Sequence, residues 1–187
     1  MNRLLITLCA LLVLAIPGLC IGQVTRNESG PVTKVPVTPL APTISGQRMA
    51  FTAGLFLDQL RIVVRDRETW VEVWNRINSG PNSHNAPPMP EIDFTSEILV
   101  VAAMGLRPSS GFQITIDTAY LYESFPRLEV VVRSVENTRC GGFTVLTAPI
   151  DIVRIPRTER PVIFRETQVI AECGKSINNL RVRPRRF

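Results

Sequence analysis

The sequence predicts an α+β domain: a mainly antiparallel sheet of about six strands with one amphipathic helix packed on it. Three observations carry that expectation. Trp70, Val73, Trp74 and Ile77 fall at i, i+3, i+4 and i+7, the spacing of one apolar stripe on a helix. EILVVAAM, at 97–104, is a continuous apolar run suited to a central strand covered on both faces. FQITIDTAYLYE and RLEVVVRSVE then alternate on either side of Ser124-Phe125-Pro126, the pattern of an antiparallel hairpin.

The chain of 187 residues is long enough for one domain with a real core. Residues 1–22 stand apart from it. A positive start at Met1–Arg3, an apolar run over Leu4–Pro17 and small residues at Cys20 and Gly22 predict a secretory signal peptide cut after Gly22. Pro17 and Gly18 favour cleavage over a retained anchor. Lipid attachment at Cys20 ranks below secretion, because Leu19 stands where a lipobox has a small residue.

Residues 23–47 hold Pro31, Pro36, Pro39 and Pro42, a density that predicts an extended linker. The domain is expected over 48–173. MAFTAGLF and QLRIVVRD read as two short strands or one interrupted strand. Asp66 is placed to cap the helix, with Glu68 adding negative charge in its first turn and Ser79-Gly80 ending it. Two tryptophans on one stripe resemble a sugar platform, but they share their face with Val73 and Ile77, so packing against the sheet is the expectation. FTVLTAPIDIVRIP and PVIFRETQVIAEC supply the last strands around a turn at Arg157–Arg160.

The net charge of +5 resides at the end of the chain. Lys175, Arg181, Arg183, Arg185 and Arg186 make 174–187 a basic tail without acids, leaving fifteen bases against sixteen acids over 23–173. A neutral body excludes nucleic acid as the expected partner. The tail is expected to be a solvated end, with weak contact to an acidic envelope surface as the sharper reading.

Four cysteines fall to two once the leader is removed. An exported chain meets an oxidising compartment, so a disulfide between Cys140 and Cys173 is expected. A metal site is not, since His84 is the single histidine and no CxxC or HxxxH spacing occurs. No cofactor is expected either. Ser109 and Ser110 lie outside any GxSxG elbow, His84 sits in the proline-rich loop 80–90 without an acid nearby in sequence, and carboxylates are scattered singly. The chain is therefore not expected to be an enzyme.

What remains is AAMGLRPSSGFQITI, 102–116. Gly105 ends one strand, Pro108 fixes φ, and Gly111 permits positive φ before the next strand. Arg107 would project from a stiff, otherwise uncharged loop towards a carboxylate or carbonyl. The other reading is a plain hairpin connection whose serines satisfy turn amides. Composition does not separate the two.

RDRETWVEVW, EIDFTSEILVVAAMGLRPSSGFQITI, Cys140 and LTAPIDIVRIPR together resemble the PrcB family, named for a protease complex subunit. Trp70 and Trp74 match its helix, and Asp93 and Phe94 its strand entry. Gly105, Arg107, Pro108, Ser109, Gly111 and Phe112 match its loop, and Val153, Arg154, Ile155 and Pro156 its late strand. The similarity covers about residues 60–165. Ser110 replaces a glycine of the family pattern and Phe112 its usual tyrosine. The resemblance implies a non-catalytic exported bacterial protein that associates with another exported protein, a protease in the case of the family's namesake. The loop is also similar, over a short stretch, to the inhibitory loop of chagasin-type cysteine protease inhibitors. A contact loop at 105–112, including Ser110, is the expectation that follows.

Overall fold

The computed structural model describes residues 30–40, 43–44, 47–48, 58–79, 88–136, 144–171 and 182–184. The leader with Cys20, the loop residue His84, the pair Cys140 and Cys173, and most of the basic tail lie outside the described residues.

The described elements, in chain order, are β1 Val32–Val35, β2 Thr38–Pro39, β3 Thr43–Ile44, β4 Gln47–Arg48, β5 Leu60–Val64, α1 Arg67–Ile77 and β6 Glu97–Ala103. They continue with β7 Phe112–Tyr122, β8 Arg127–Glu136, β9 Ile150–Pro156, β10 Val162–Ile170 and β11 Val182–Pro184. The α+β class with one helix holds among the described residues. The expected single sheet of about six strands does not: there are two main sheets. One runs β1-β7-β8-β10-β11, the other β2-β9-β6-β5, and β3-β4 form a separate two-stranded ladder. All pairs are antiparallel except β8 with β10.

β6 explains the arrangement. Ile98, Val100 and Ala102 pack into a core between the two sheets, with Ile114 and Ile116 of β7 and Leu128, Val130 and Val132 of β8. Leu99, Val101 and Ala103 face the other way, into a core under α1 with Trp70, Val73, Trp74 and Ile77. Side chains of a strand alternate between faces, so a strand apolar at every position needs a cover on both. Here one cover is the helix and the other is the second sheet. The layers are helix, four-stranded sheet, five-stranded sheet.

α1 begins where its sequence predicts. The Asp66 carboxylate accepts the Thr69 N–H at 2.8 Å, satisfying one of the helix's unpaired amides. The helix ends at Asn78, one residue before Ser79. Trp70 is 1% exposed and its indole N–H donates to Pro90 O at 3.1 Å, while its ring lies 5.3 Å from that of Trp74. Both rings belong to the core, so no sugar platform exists on this stripe.

β1 and β2 lie inside the stretch expected to be a linker. β1 pairs with β7 and β2 with β9, so 32–39 spans from one sheet to the other. Pro36 and Pro39 remain compatible with this because β1 and β2 are edge strands, where a missing N–H goes unmissed. The turn after β9 also differs from expectation. β9 and β10 belong to different sheets, and 157–161 is a crossover pinned by arginines. Arg157 donates to Arg65 O and Phe94 O, and Arg65 donates to Arg160 O at 3.1 Å.

Candidate functional site

β6 and β7 flank the loop 105–112 but sit in different sheets. The loop is thus a crossover at one end of the sandwich, not a hairpin turn, which corrects the plain-hairpin alternative. Its construction follows from register. Ala103 pairs with Ile150, and Arg107 forms a bridge with Thr147. Four residue steps on one side therefore face three on the other. The extra residue is taken up at Gly105, whose φ of 75° is the left-handed conformation that side chains resist. The glycine is needed there for that reason.

The bridge makes the loop stiff. Arg107 N–H donates to Thr147 O at 2.7 Å and Thr147 N–H to Arg107 O at 2.9 Å, while Met104 N–H donates to Pro149 O at 2.9 Å. The Thr147 hydroxyl donates to Ser109 O at 2.8 Å, and Ser109 Oγ accepts the Gly111 N–H at 3.3 Å. Ser109 is a turn residue in this geometry. Pro108 and Ser110 are exposed, and Phe112 is half-buried at the start of β7.

Arg107 is held rather than extended. Its guanidinium carbon lies 5.7 Å from the centre of the Phe112 ring, within cation–π range. Its Nη1 makes a weak 3.4 Å contact to Leu106 O, and its Nε is buried without a hydrogen-bond partner. Among the described residues no carboxylate lies within ion-pairing distance of it.

Beside the loop a cleft of about 300 Å³ opens between the sheets, lined by Arg107, Pro108 and Phe112 on the loop side. Its other walls include Arg61, Ser134, Glu136, Glu166 and Gln168. The cleft exists because β8 and β10 change character along their inward faces. Leu128, Val130 and Val132 give way to Ser134 and Glu136, and Phe164 gives way to Glu166 and Gln168. The two strands are parallel, with Glu166 beside Val132 and Gln168 beside Ser134, so β10 turns polar one inward position before β8. Apolar packing stops there and the sheets part.

The charges in the cleft are largely committed. Both oxygens of Glu166 are held by Arg61, at 2.6 and 2.9 Å. Glu136 accepts from the Gln168 amide at 3.1 Å, and Ser134 Oγ donates to Thr167 O at 3.4 Å. Among the described residues no group of three or more His, Cys, Asp or Glu side chains is placed to hold a metal ion.

Of the expected contact residues, the structure brings Arg107, Pro108 and Phe112 onto the cleft, uses Gly105, Ser109 and Gly111 to build the loop, and leaves Ser110 on its surface; the positive φ expected at Gly111 occurs instead at Gly105. Thr147 was not among them, because LTAPIDIVRIP reads as one strand. In fact β9 starts only at Ile150, and the preceding residues meet the loop through a single isolated bridge at Thr147. Pro149, which interrupts the run, is the sequence signal for that break. The other matched positions are structural: Asp93 accepts from Thr95 and Ser96 in a turn, Phe94 packs under the helix, and Arg154 faces Glu97 at 3.7 Å. No family model, no curated protein and no solved structure matches this chain.

Proposed function

We propose that the protein is an exported, non-catalytic binding module that associates with another exported protein, a protease being the candidate partner, through the loop 105–112. The observation that carries this reading is Arg107. It stands on a loop stiffened by a two-sided backbone bridge, beside an open cleft, with a buried Nε–H that has no acceptor. A stiff loop loses little freedom on binding, and a guanidinium without a carboxylate can accept one from a partner. The sequence resemblance to a protease complex subunit supports the protease as partner.

The test is recovery of proteins from the native envelope fraction on immobilised mature domain, alongside Arg107→Ala. Enrichment of a defined exported protein, reduced at least tenfold by the substitution, is expected. Recovery of background proteins alone, unchanged by Arg107→Ala, overturns the reading.

A second reading is a protease inhibitor that inserts 105–112 into a protease cleft. The exposed run of Leu106, Pro108 and Ser110 on a fixed backbone favours it. Assays against subtilisin-like and papain-like proteases separate the two. Absence of inhibition in both classes at micromolar concentration leaves the assembly reading alone.

A further inference from the structure

Five large apolar side chains are conspicuously exposed among the described residues, and three of them sit at one place. Leu106 is 42% exposed, Val145 50% and Leu146 67%. Leu106 immediately precedes Arg107 and Leu146 immediately precedes Thr147, the two residues of the bridge. In an antiparallel pair the positions before each bridged residue lie on the same face, diagonal to each other and about 7–8 Å apart. Pro108, also exposed, stands opposite Leu146. The end of the sandwich therefore presents an aliphatic tip made from two chain segments, with Leu106, Pro108 and Leu146 on one face and the bridged Arg107 and Thr147 on the other.

We infer that this tip, Leu106 with Val145 and Leu146, is the half of the contact surface that the loop alone does not supply, and that it inserts into an apolar pocket with a carboxylate at its rim on a protein partner. The inference rests on the binding-module reading and specifies the partner's chemistry. An exposed aliphatic cluster at the extremity of a stiff loop is costly in water and is relieved when covered. The carboxylate follows from charge complementarity, since among the described residues no acid forms an ion pair with the Arg107 guanidinium. A lipid surface fits less well. Interfacial binding draws on clustered Lys and Arg beside the apolar residues. Segments 105–112 and 144–148 hold one charged residue, Arg107.

The test places a benzophenone amino acid singly at Leu146, at Ser110 and, as a remote control on exposed α1, at Asn75 in the full chain expressed in its own cells. Photolysis is expected to give one protein adduct from positions 146 and 110 and none from 75. With the probe at 110, Leu146→Asp and Arg107→Ala each reduce that adduct at least tenfold, while Leu146→Met retains it. The Leu146 variants melt within a few degrees of wild type, because that side chain is 67% exposed, and the melting temperature of Arg107→Ala is measured alongside, since its Nε is buried. An adduct from 110 that persists within twofold in Leu146→Asp overturns this inference and leaves the binding module standing. Loss with Leu146→Asp but not with Arg107→Ala overturns the carboxylate rim. Adducts found only with lipid overturn the protein pocket. Absence of any adduct from both 146 and 110 overturns the binding-module reading itself.

Discussion

Arg61 and Glu166 join the two sheets at the cleft: Arg61 Nε donates to Glu166 Oε1 at 2.6 Å and Nη2 to Oε2 at 2.9 Å. The pair is largely buried, with side chains 14% and 5% exposed. Arg61 Nη1 also donates to Leu60 O and Ala103 O, both at 2.7 Å, so the guanidinium is fixed on β5 before Glu166 reaches it. Removing one member of such a pair leaves a charge with no partner in a confined space. Glu166→Gln is expected to cost about 3 kcal/mol, read as a lower urea midpoint. The double variant Arg61→Met with Glu166→Leu is expected to recover much of that loss, because the uncompensated charge is gone. If Glu166→Gln leaves the midpoint unchanged, the pair is not what closes the sheets at this end.

Asp151 makes a second link between the sheets. It lies on β9 facing the inter-sheet core, 5% exposed, and its Oδ2 accepts the Ile116 N–H at 2.7 Å. The position is a bulge: β7 and β8 slip register between Ile116 and Thr118, and the ladder leaves that amide for another acceptor. Asp117, the extra residue, pairs instead with Arg133 Nε at 2.8 Å. Asp151→Ala removes the acceptor and is expected to cost about 1–3 kcal/mol, the penalty for an orphaned buried amide. Asp151→Asn keeps a carbonyl oxygen there and should cost less in the same denaturation experiment. Equal losses for the two variants would mean that the carboxylate's charge matters more than its acceptor.

These two links also mark what could be read from the chain. The helix, its cap at Asp66, the β7–β8 hairpin and the doubly covered β6 were all legible, because each follows from local periodicity or one capping residue. Pairing was not. Alternation along β7 and β10 says which side chains face inwards, but nothing in it says that β8 takes β10 as a parallel neighbour or that β9 goes to the other sheet. The one acid in the apolar run PIDIVRIP was the visible trace of the cross-sheet contact. The candidate loop was legible as an element, since Gly105, Pro108 and Gly111 are local signals. Its bridge partner Thr147 was not, because a backbone bridge uses no particular side chain.

Acid should weaken the fold through two exposed aspartates. The Thr69 N–H, then the Thr69 hydroxyl, hold the Asp66 carboxyl below its ordinary value of 3.8. The hydroxyls of Thr95 and Ser96, then the Thr95 N–H, do the same for Asp93. For a carboxyl whose folded pKa is depressed, the stabilisation is present in full above the unfolded value and is lost as pH falls through the folded one. The loss therefore begins near pH 4 and proceeds below it. Asp66→Asn with Asp93→Asn retains an acceptor at each turn but removes the titration. Urea midpoints measured from pH 5 down to about pH 2.5 should fall less steeply for that variant than for wild type. Parallel curves would assign the acid sensitivity to other carboxylates.

The proposed disulfide is the remaining constraint on the cleft end. Glu136 at the end of β8 and Ile170 at the end of β10 are register partners, and Ala171 N–H donates to Glu136 O at 2.8 Å. Cys140 and Cys173 follow those ends by four and three residues. At about 3.3–3.6 Å of reach per residue, two segments leaving adjacent strands in the same direction can bring their cysteines to bonding distance. The bond would close a loop of 33 residues, which chain entropy values at about 3–4 kcal/mol. Reduction of the mature domain should then lower its melting temperature by about 10 °C, and Cys140→Ser with Cys173→Ser should melt like the reduced protein. Thiol titration of the native mature domain should find no free thiol. Two titratable thiols there, with no change in melting on reduction, would leave the end of the sandwich held by Arg61–Glu166 and the Arg107–Thr147 bridge without a covalent link.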